Sequence, residues 1–350
     1  MQASRVLLTG ANGFIGTHIL SQLLSHGLSV RAVVRSRSKA TALASTFPTA
    51  ADTPSLDFAI IPDITAPHAF DTALQSPQHP FDTVIHTASP FLLRAVNNNR
   101  EFLDPAIQGT TRILEGVRDV ASSSVKRVLI TSSFAAVADL ANAASIGAKV
   151  HTGADWNPVT WEQALDEANR GVAYQASKKF AEEAAWKFMR EEKVGFDLVT
   201  FCPPMVYGPL QHEVKSLKDL NESNGRIYNL FMRSKEDADL PPNGVYLYTD
   251  PRDLAFAHVQ AALIPEAGNK RFIISAGQIS SQEISDILRK NFPELAGRTP
   301  KGNPGTSTLP EKAYSADATP AVEILGVGFH KKEETLVSLA KQLLEVERVQ

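Results

Sequence analysis

The stretch "RVLLTGANGFIG", residues 5–16, joins a short apolar run to three glycines at three-residue spacing. The apolar run is typical of a buried strand, and the residues that follow, 14–27, predict a helix. Gly10 lets the chain turn tightly, Gly13 lets a pyrophosphate approach the backbone, and Gly16 lets helix and strand pack closely. The helix N-terminus then offers N–H groups to phosphate. This context predicts a dinucleotide-binding turn. The expected contacts are Gly10, Asn12, Gly13, Phe14, Ile15 and Gly16.

Outward from this turn, short Val/Ile/Leu-rich runs alternate with helical patterns along the first part of the chain. The predicted strands are 5–10, 29–35, 55–61, 81–88, 125–133 and 196–204, with a long helix at about 99–121. Such alternation is the signature of an α/β fold, a doubly wound parallel (Rossmann) sheet with helices on both faces. Ligands of such sheets bind at the carboxyl ends of the strands.

The pattern is less regular after residue 204, although 270–276 predicts a strand and 333–347 an amphipathic helix. We therefore expect two parts. The first is a cofactor-binding domain of residues 1–204, to which about 250–277 return. The second is a smaller, discontinuous substrate-binding lobe of residues 205–249 and 278–350.

The net charge and the composition bear on which binding partners and which compartment are expected. The formal charge of the 350 residues is -3, so a nucleic acid or an anionic membrane is not an expected partner. No apolar run approaches the roughly 20 residues of a membrane-spanning helix. The single cysteine, Cys202, excludes an internal disulfide and fits a reducing compartment, so we expect a cytoplasmic protein. No His/Cys/Asp spacing indicates a metal site. The sequence is compatible with two oligomeric states, a monomer and a homodimer.

The residues after the second predicted strand favour one dinucleotide. NAD-binding turns usually place an acid there to hold the ribose 2′-hydroxyl. This chain has Arg35, Arg37 and Lys39 instead, with no acidic residue before Asp52. Cationic groups bind a 2′-phosphate, so the pattern favours NADPH. Asp63, followed by Ile64, comes after the third strand, where it either meets the adenine edge or caps a helix.

A Tyr-x-x-x-Lys pair, Tyr174 and Lys178, lies in a helical pattern and shares one helix face. An ammonium group beside a phenol lowers the pKa of the phenol from its usual value of about 10, so we expect a tyrosine able to protonate a carbonyl oxygen. Ser133, in "TSS" at the end of the fifth strand, lies at the sheet edge where the ligand cleft is expected. Its hydroxyl is placed to hold the carbonyl oxygen beside Tyr174.

Six segments together resemble the extended short-chain dehydrogenase/reductase family: "TGANGFIG", "VIHTASPF", "VLITSSFAAV", "DWNP", "YQASK" and "CPPMVYGP". Within it they are most similar to the carbonyl reductases typified by fungal methylglyoxal/isovaleraldehyde, dihydroflavonol and cinnamoyl-CoA reductases. The resemblance runs from about residue 4 to 276. It implies a catalytic set of Ser133, Tyr174 and Lys178, with Lys178 also on the nicotinamide ribose and Pro203 against the nicotinamide. Further implied cofactor contacts are Thr87, Ala88, Ser89 and Val206.

One position departs from the wider family. An Asn three residues before a Gly in the long helix completes a proton relay in many members, and Ala106 occupies that position before Gly109. The reductase branch commonly lacks this Asn, so the departure indicates branch membership.

Six further residues lie in or near the predicted cleft. Phe91, Phe134 and Met205 each follow a motif segment, and an apolar wall formed by them favours aldehydes and ketones with hydrophobic groups. The alternative is that some of the three belong to the core. His86 and His258 are expected to be structural, and Cys202 has no suitably placed His to make it a nucleophile.

The sequence therefore predicts an NADPH-dependent carbonyl reductase that transfers a hydride to aldehydes or ketones and yields alcohols. Two alternatives stay open at this point. A nucleotide-sugar epimerase or dehydratase shares the fold and the Tyr-Lys pair but holds NAD tightly. A non-catalytic NADP-sensing protein binds the cofactor without turnover.

Overall fold

A seven-stranded parallel sheet forms the centre of the computed structural model, which describes residues 5–89, 98–166, 170–212, 214 and 216–349. The strands of the chain are β1 Arg5–Thr9, β2 Ser29–Val34, β3 Leu56–Ile60, β4 Thr83–His86, β5 Arg127–Thr131, β6 Val150–His151, β7 Asp197–Cys202, β8 Met205–Val206, β9 Leu247–Thr249, β10 Lys270–Ile273, β11 Gly277–Gln278 and β12 Ser315–Ala316. In the central sheet they lie in the order β3-β2-β1-β4-β5-β7-β10. The predicted doubly wound parallel sheet is confirmed.

The described residues form thirteen α-helices, and some of them cover the two faces of this sheet. They are α1 Phe14–Ser25, α2 Arg37–Thr46, α3 Pro48–Ala51, α4 Asp71–Leu74, α5 Arg100–Val120, α6 Ala143–Ile146, α7 Trp161–Leu165, α8 Arg170–Glu191, α9 Glu222–Ile227, α10 Pro251–Leu263, α11 Ser281–Asn291, α12 Thr319–Leu325 and α13 Lys332–Val349. On one face α1 packs against α10, and on the other α5 packs against α8. Both faces of the strands are apolar because both are covered.

The strand order reverses between β1 and β4, and this reversal opens the cleft. Chain connections leave these two neighbouring strands in opposite directions, so their carboxyl ends are not covered by a crossover helix. The ends are also tied together. Thr87 donates from Oγ1 to the carbonyl oxygen of Thr9 over 2.7 Å, and the Ala88 N–H donates to the Thr9 hydroxyl over 3.2 Å. These hydrogen bonds therefore fix the carboxyl ends of β1 and β4 relative to each other at the bottom of the cleft.

Segments after β7 build a second layer of structure beside the cleft. Strands β8, β9 and β11 form a three-stranded sheet, and β6 pairs with β12. A separate apolar cluster joins α9, α11 and α13, with Phe231, Leu288 and Leu339 fully buried in it. Strand β10, although late in the chain, pairs with β7 at the edge of the central sheet. No helix within the described ranges has the length and apolar character needed to cross a membrane.

A buried ion pair connects α8 to the sheet. The Glu182 carboxylate of α8 accepts hydrogen bonds from Arg271 of β10 over 2.7 Å, from Ser132 over 2.6 Å and from Thr200 of β7 over 2.7 Å. The side chains of Glu182 and Arg271 are 1% and 7% exposed. The guanidinium also donates to the Asp155 carbonyl and lies over the Trp156 ring, 3.9 Å from its centroid. The pair is thus hydrogen-bonded at both ends.

We expect Glu182→Gln to lower the free energy of unfolding by about 3–5 kcal/mol, because it leaves the buried Arg271 guanidinium without a counter-charge. Guanidinium chloride denaturation measures this change. Glu191→Gln is the matched control: it removes the same charge from the same helix, in an ion pair with Lys187 whose side chains are both 64% exposed. The control is expected to cost less than about 1 kcal/mol. Equal losses in the two variants would show that the buried pair does not stabilise the fold.

Candidate active site

A cavity of about 730 Å³ opens at the carboxyl ends of β1, β2, β4, β5 and β7. It brings together residues from nearly every motif that the sequence analysis identified. The lining residues are Gly10, Asn12, Gly13, Phe14, Ile15, Gly16, Val33, Val34, Arg35, Lys39, Ile61, Ile64, Thr87, Ala88, Ser89, Thr131, Ser132, Ser133, Tyr174, Lys178, Pro203, Pro204, Met205, Val206, Asn221, Glu222 and Ser223. The sequence-predicted residues that do not line it are Asp63 and Phe134, while Phe91 lies outside the described residues.

The glycine turn has the shape that a dinucleotide requires. Gly10 has φ +67°, and a Cβ on it would lie 2.6 Å from the Thr87 hydroxyl oxygen and 2.9 Å from the Ala88 nitrogen. A Cβ on Gly16 would overlap the carbonyl oxygen of Gly10. Gly13 caps α1 without any side-chain hydrogen bond, and the first turn holds no acidic residue. Within the described residues the first N–H groups of α1 thus have no side-chain cap and no acidic residue in the first turn, which fits a pyrophosphate.

Two cations lie on the β2 side of the cavity. Arg35 follows β2, and Lys39 lies in the first turn of α2, whose N-cap Ser36 accepts from the Lys39 N–H over 3.5 Å. The cap fixes how α2 starts and so where Lys39 projects. The lining residues on this side include no carboxylate. The charge distribution fits a 2′-phosphate better than a bare ribose hydroxyl.

Asp63 is exposed and does not cap a helix, while its expected place at the adenine edge of a cofactor stays a prediction. Its carboxylate accepts from the Thr65 N–H over 2.9 Å and from the Thr65 hydroxyl over 2.7 Å, and these bonds lower its pKa. The surrounding residues, 61–70, form turns, so Asp63 caps a turn and no helix. Its neighbour Ile64 does line the cavity.

Ser133, Tyr174 and Lys178 meet at the cavity wall. Ser133 follows β5, and its hydroxyl is hydrogen-bonded to the Tyr174 hydroxyl. Lys178 lies one turn after Tyr174 on α8, and its Nζ donates to the Ser89 hydroxyl over 2.8 Å and lies 6.0 Å from the centre of the Tyr174 ring. The adjacent Ser132 donates to Glu182 instead, so only Ser133 offers its hydroxyl to Tyr174.

The expectation of a lowered Tyr174 pKa is wrong for this cavity. Shielding from water, with a smaller contribution from the negative charge of Glu222, raises the pKa of Tyr174 to about 12, and the Ser133 hydrogen bond opposes this rise. Burial lowers the pKa of Lys178 to about 8. Sequence spacing places Lys178 on the same helix face, and its ammonium group donates to Ser89, but the loss of water around the phenol has the larger effect on the pKa of Tyr174. At neutral pH Tyr174 is therefore protonated and can donate a proton.

The three residues expected to form an apolar wall have different positions. Met205 of β8 lines the cavity. Phe134 is fully buried, and its ring stacks on Tyr314 with a centroid distance of 6.0 Å and packs edge-on against His151. The reason is local, because Ser133 caps a short 3₁₀ turn and the Phe134 N–H donates to the Pro203 carbonyl, which directs the ring away from the cavity.

Several cavity residues were not identified from the sequence. Asn221, Glu222 and Ser223 start α9 and reach the cavity from the irregular part of the chain after β8. No motif marks them, and only the three-dimensional path of the chain places them beside Met205. Glu222 is the one carboxylate among the lining residues of the described chain.

Three other residues singled out in the sequence are structural. His86 is buried and hydrogen-bonded to the Thr9 hydroxyl over 2.9 Å, and burial lowers its pKa to about 3. His258 bonds Thr131 and the Leu254 carbonyl, each over 2.8 Å. Cys202 is buried and burial raises its thiol pKa, so it is not an activated nucleophile.

Within the described residues no cluster of three or more His, Cys, Asp or Glu side chains is arranged to hold a metal.

A parallel sheet with a glycine turn at its switch point and a Ser-Tyr-Lys set beside it defines a dinucleotide-dependent short-chain dehydrogenase/reductase. A model of the NAD dependent epimerase/dehydratase family matches residues 6–277. The chain belongs to this family, and the predicted membership of the extended short-chain dehydrogenase/reductases is confirmed.

Similar proteins share almost the whole length of the chain. It is 37% identical over 343 residues to the ketoreductase azaE of Aspergillus niger and 36% identical over 347 residues to the NADPH-dependent methylglyoxal reductase Gre2 of Saccharomyces cerevisiae, covering 98% of both partners in each comparison. The crystal structure of yeast methylglyoxal/isovaleraldehyde reductase Gre2 complexed with NADPH superposes with a TM-score of 0.89 at 35% identity, over 98% of this chain and 99% of that chain.

We expect Gly16→Ala to lower the free energy of unfolding by about 1–3 kcal/mol, because its Cβ overlaps the Gly10 carbonyl and must push α1 away from β1. The same displacement moves the N-terminal N–H groups of α1 that are expected to bind the pyrophosphate. Fluorescence titration is therefore expected to show weaker binding of NADPH. Gly297→Ala is the control, because a Cβ there meets no atom within 4 Å. Unchanged NADPH binding in Gly16→Ala would argue against the turn as the pyrophosphate site.

Proposed function

We propose that the chain is an NADPH-dependent carbonyl reductase that converts aldehydes and ketones to alcohols. The observation that carries this proposal is the hydrogen-bonded Ser133–Tyr174 pair with Lys178 beside it, in a cavity whose glycine turn fits a pyrophosphate. The similarity to an NADPH-dependent methylglyoxal reductase and to a ketoreductase, each over almost the full chain, supports the same activity.

NADPH supplies the hydride when it is bound. The chain's own residues handle the oxygen and its proton. Ser133 holds the carbonyl oxygen within reach of Tyr174, whose hydroxyl is protonated at neutral pH and donates its proton to that oxygen. Lys178, which donates to Ser89, would bind the ribose next to the reaction site, and its ammonium group brings a positive charge near the Tyr174 ring.

The cofactor contacts form three groups along the cavity. Gly10 to Gly16 would hold the pyrophosphate, Arg35 and Lys39 would hold the 2′-phosphate, and Pro203 and Val206 would lie near the nicotinamide, since all of them line the cavity. Ile64 would contact the adenine, and Thr87, Ala88 and Ser89, which also line the cavity, would contact the middle of the cofactor.

The epimerase alternative has less support. Such enzymes hold NAD tightly, and the charge at Arg35 and Lys39 suits a phosphate in place of a ribose hydroxyl. A purely cofactor-sensing protein has no need of the Ser133–Tyr174 contact. A protein purified with bound NAD would favour the first alternative, and NADPH binding without turnover the second.

The proposed function also implies a division of the chain into two parts. We propose that residues 1–204, together with about 250–277, form the NADPH-binding domain. Residues 205–249 and 278–350 then form the smaller lobe that selects the substrate. The protein acts in the cytoplasm on small aldehydes or ketones, as a monomer or a homodimer, and its function involves neither nucleic acid nor a membrane.

Tyr174→Phe is expected to lower kcat for NADPH-dependent carbonyl reduction by about 10²- to 10⁴-fold, because it removes the proton donor. The loss of NADPH absorbance at 340 nm with a panel of aldehydes, α-dicarbonyls, β-ketoesters and aryl ketones measures the rate. Tyr248→Phe is the control, since its hydroxyl bonds the His330 carbonyl away from the cavity. Full activity in Tyr174→Phe would refute the proposed role.

Arg35→Ser is expected to reduce the ratio of kcat/KM with NADPH to that with NADH by about 10- to 100-fold, because hydrogen bonds to a charged group contribute about 1.5–3 kcal/mol. The matched control is Arg37→Ser, which removes an exposed cation two residues away that does not line the cavity. Equal effects of the two substitutions would indicate that net charge, and not a contact from Arg35, sets the preference.

A further inference from the structure

Glu222 carries the one carboxylate among the described residues that line the cavity, on the side of Met205. It lies at the start of α9, next to Met205 of β8, and it also borders a second cavity of about 890 Å³ beyond that methionine. Its negative charge acts on the Tyr174 hydroxyl. No cation of the described residues forms an ion pair with Glu222, and its side chain is exposed to the cavity mouth.

Hydrogen bonds fix the positions of the residues on either side of Glu222. Ser223 donates from its hydroxyl to the Val206 carbonyl over 2.7 Å, and the Asn221 side chain donates to the Ser223 hydroxyl over 2.7 Å. The buried Asn224 amide bonds both the N–H and the carbonyl of Gly208, over 3.2 and 2.9 Å. These contacts fix the first turn of α9 against β8, so the Glu222 backbone has a defined position beside the reaction centre.

Among the described residues that line this cavity, the cations lie away from Met205 or donate to another protein group. Arg35 and Lys39 lie on the β2 side, where the cofactor phosphate binds, and Lys178 donates to Ser89. The lining near Met205 is otherwise apolar or neutral, from Pro203, Pro204 and Val206 to Asn221 and Ser223. A substrate carboxylate next to the reacting carbonyl would lose water there without gaining a counter-charge.

We propose that Glu222 is a specificity-determining residue that rejects anionic carbonyl compounds, above all 2-oxo acids, in favour of neutral aldehydes, ketones and 2-oxo esters. The inference rests on the proposed reductase function and names the substrate class of that site. A 2-oxo acid held with its ketone oxygen at Ser133 and Tyr174 brings its carboxylate into the field of Glu222. Like charges repel at this range, whereas the matching ester carries no charge and binds without that penalty.

The experiment compares matched substrate pairs that differ in charge at the same carbon, ethyl pyruvate against pyruvate and ethyl phenylglyoxylate against phenylglyoxylate. The quantity measured is the ratio of kcat/KM for the ester to kcat/KM for the acid, with NADPH. In the unaltered protein this ratio is expected to favour the ester and to fall as rising ionic strength screens the repulsion. In Glu222→Gln the ratio is expected to fall by about tenfold or more because the acid gains far more than the ester.

Asp219→Asn is the matched control. It removes one negative charge three residues before Glu222, at an exposed position that lines neither cavity, and is expected to leave the ratio unchanged. An unaltered protein that reduces acid and ester equally well would overturn the proposal. So would a ratio in Glu222→Gln equal to that of the unaltered protein, or an equal fall in Asp219→Asn. Absence of turnover with every carbonyl would instead refute the reductase function itself, while turnover of esters with an unchanged ratio refutes only the role of Glu222.

Discussion

The hydrogen-bonded Glu182 carboxylate is the interaction on which the geometry of the site depends. Tyr174, Lys178 and Glu182 follow one another at four-residue steps on α8, so whatever fixes Glu182 also fixes the two residues of the proposed chemistry. Ser132 donates to this carboxylate, and its neighbour Ser133 thereby takes a set position opposite Tyr174. The contact between serine and tyrosine is therefore imposed by a buried charge behind it and not by the two hydroxyl groups alone.

A second constraint comes from backbone packing at the switch point. The close approach of β1, β4 and α1 leaves no room for a Cβ on Gly10 or Gly16, and the Thr9–Thr87 hydrogen bond holds the strand ends in register. The same crowding leaves the N-terminal N–H groups of α1 directed at an open space. One packing requirement thus produces both the tight turn and the anion site, which explains why a short glycine pattern predicts both.

The sequence predicted the features that depend on local pattern and failed where distant parts of the chain meet. The strands of the central sheet and the glycine turn follow from short-range periodicity and motif order, whereas the full Ser133–Tyr174–Lys178 set was implied by the resemblance to the reductase family. The inward turn of Phe134 depends on a bond to the Pro203 carbonyl, and the position of Glu222 depends on how α9 packs on β8. These are tertiary contacts that no window of sequence contains. The domain boundaries and the site roles stay predictions.

The raised pKa of Tyr174 shows why the four-residue spacing to Lys178 was not enough to predict the pKa. A Lys four residues away on a helix shares the face, but the field at the hydroxyl depends on every charge and on the water that reaches it. Shielding from water raises the pKa, the Ser133 bond opposes the rise, and the Glu222 charge adds to it. The cavity thus has a cationic end formed by Arg35 and Lys39 and an anionic rim at Glu222. A cofactor rich in phosphate suits the first end, and a neutral carbonyl compound suits the second. The same protonated tyrosine between them then has a proton to donate across the neutral pH range.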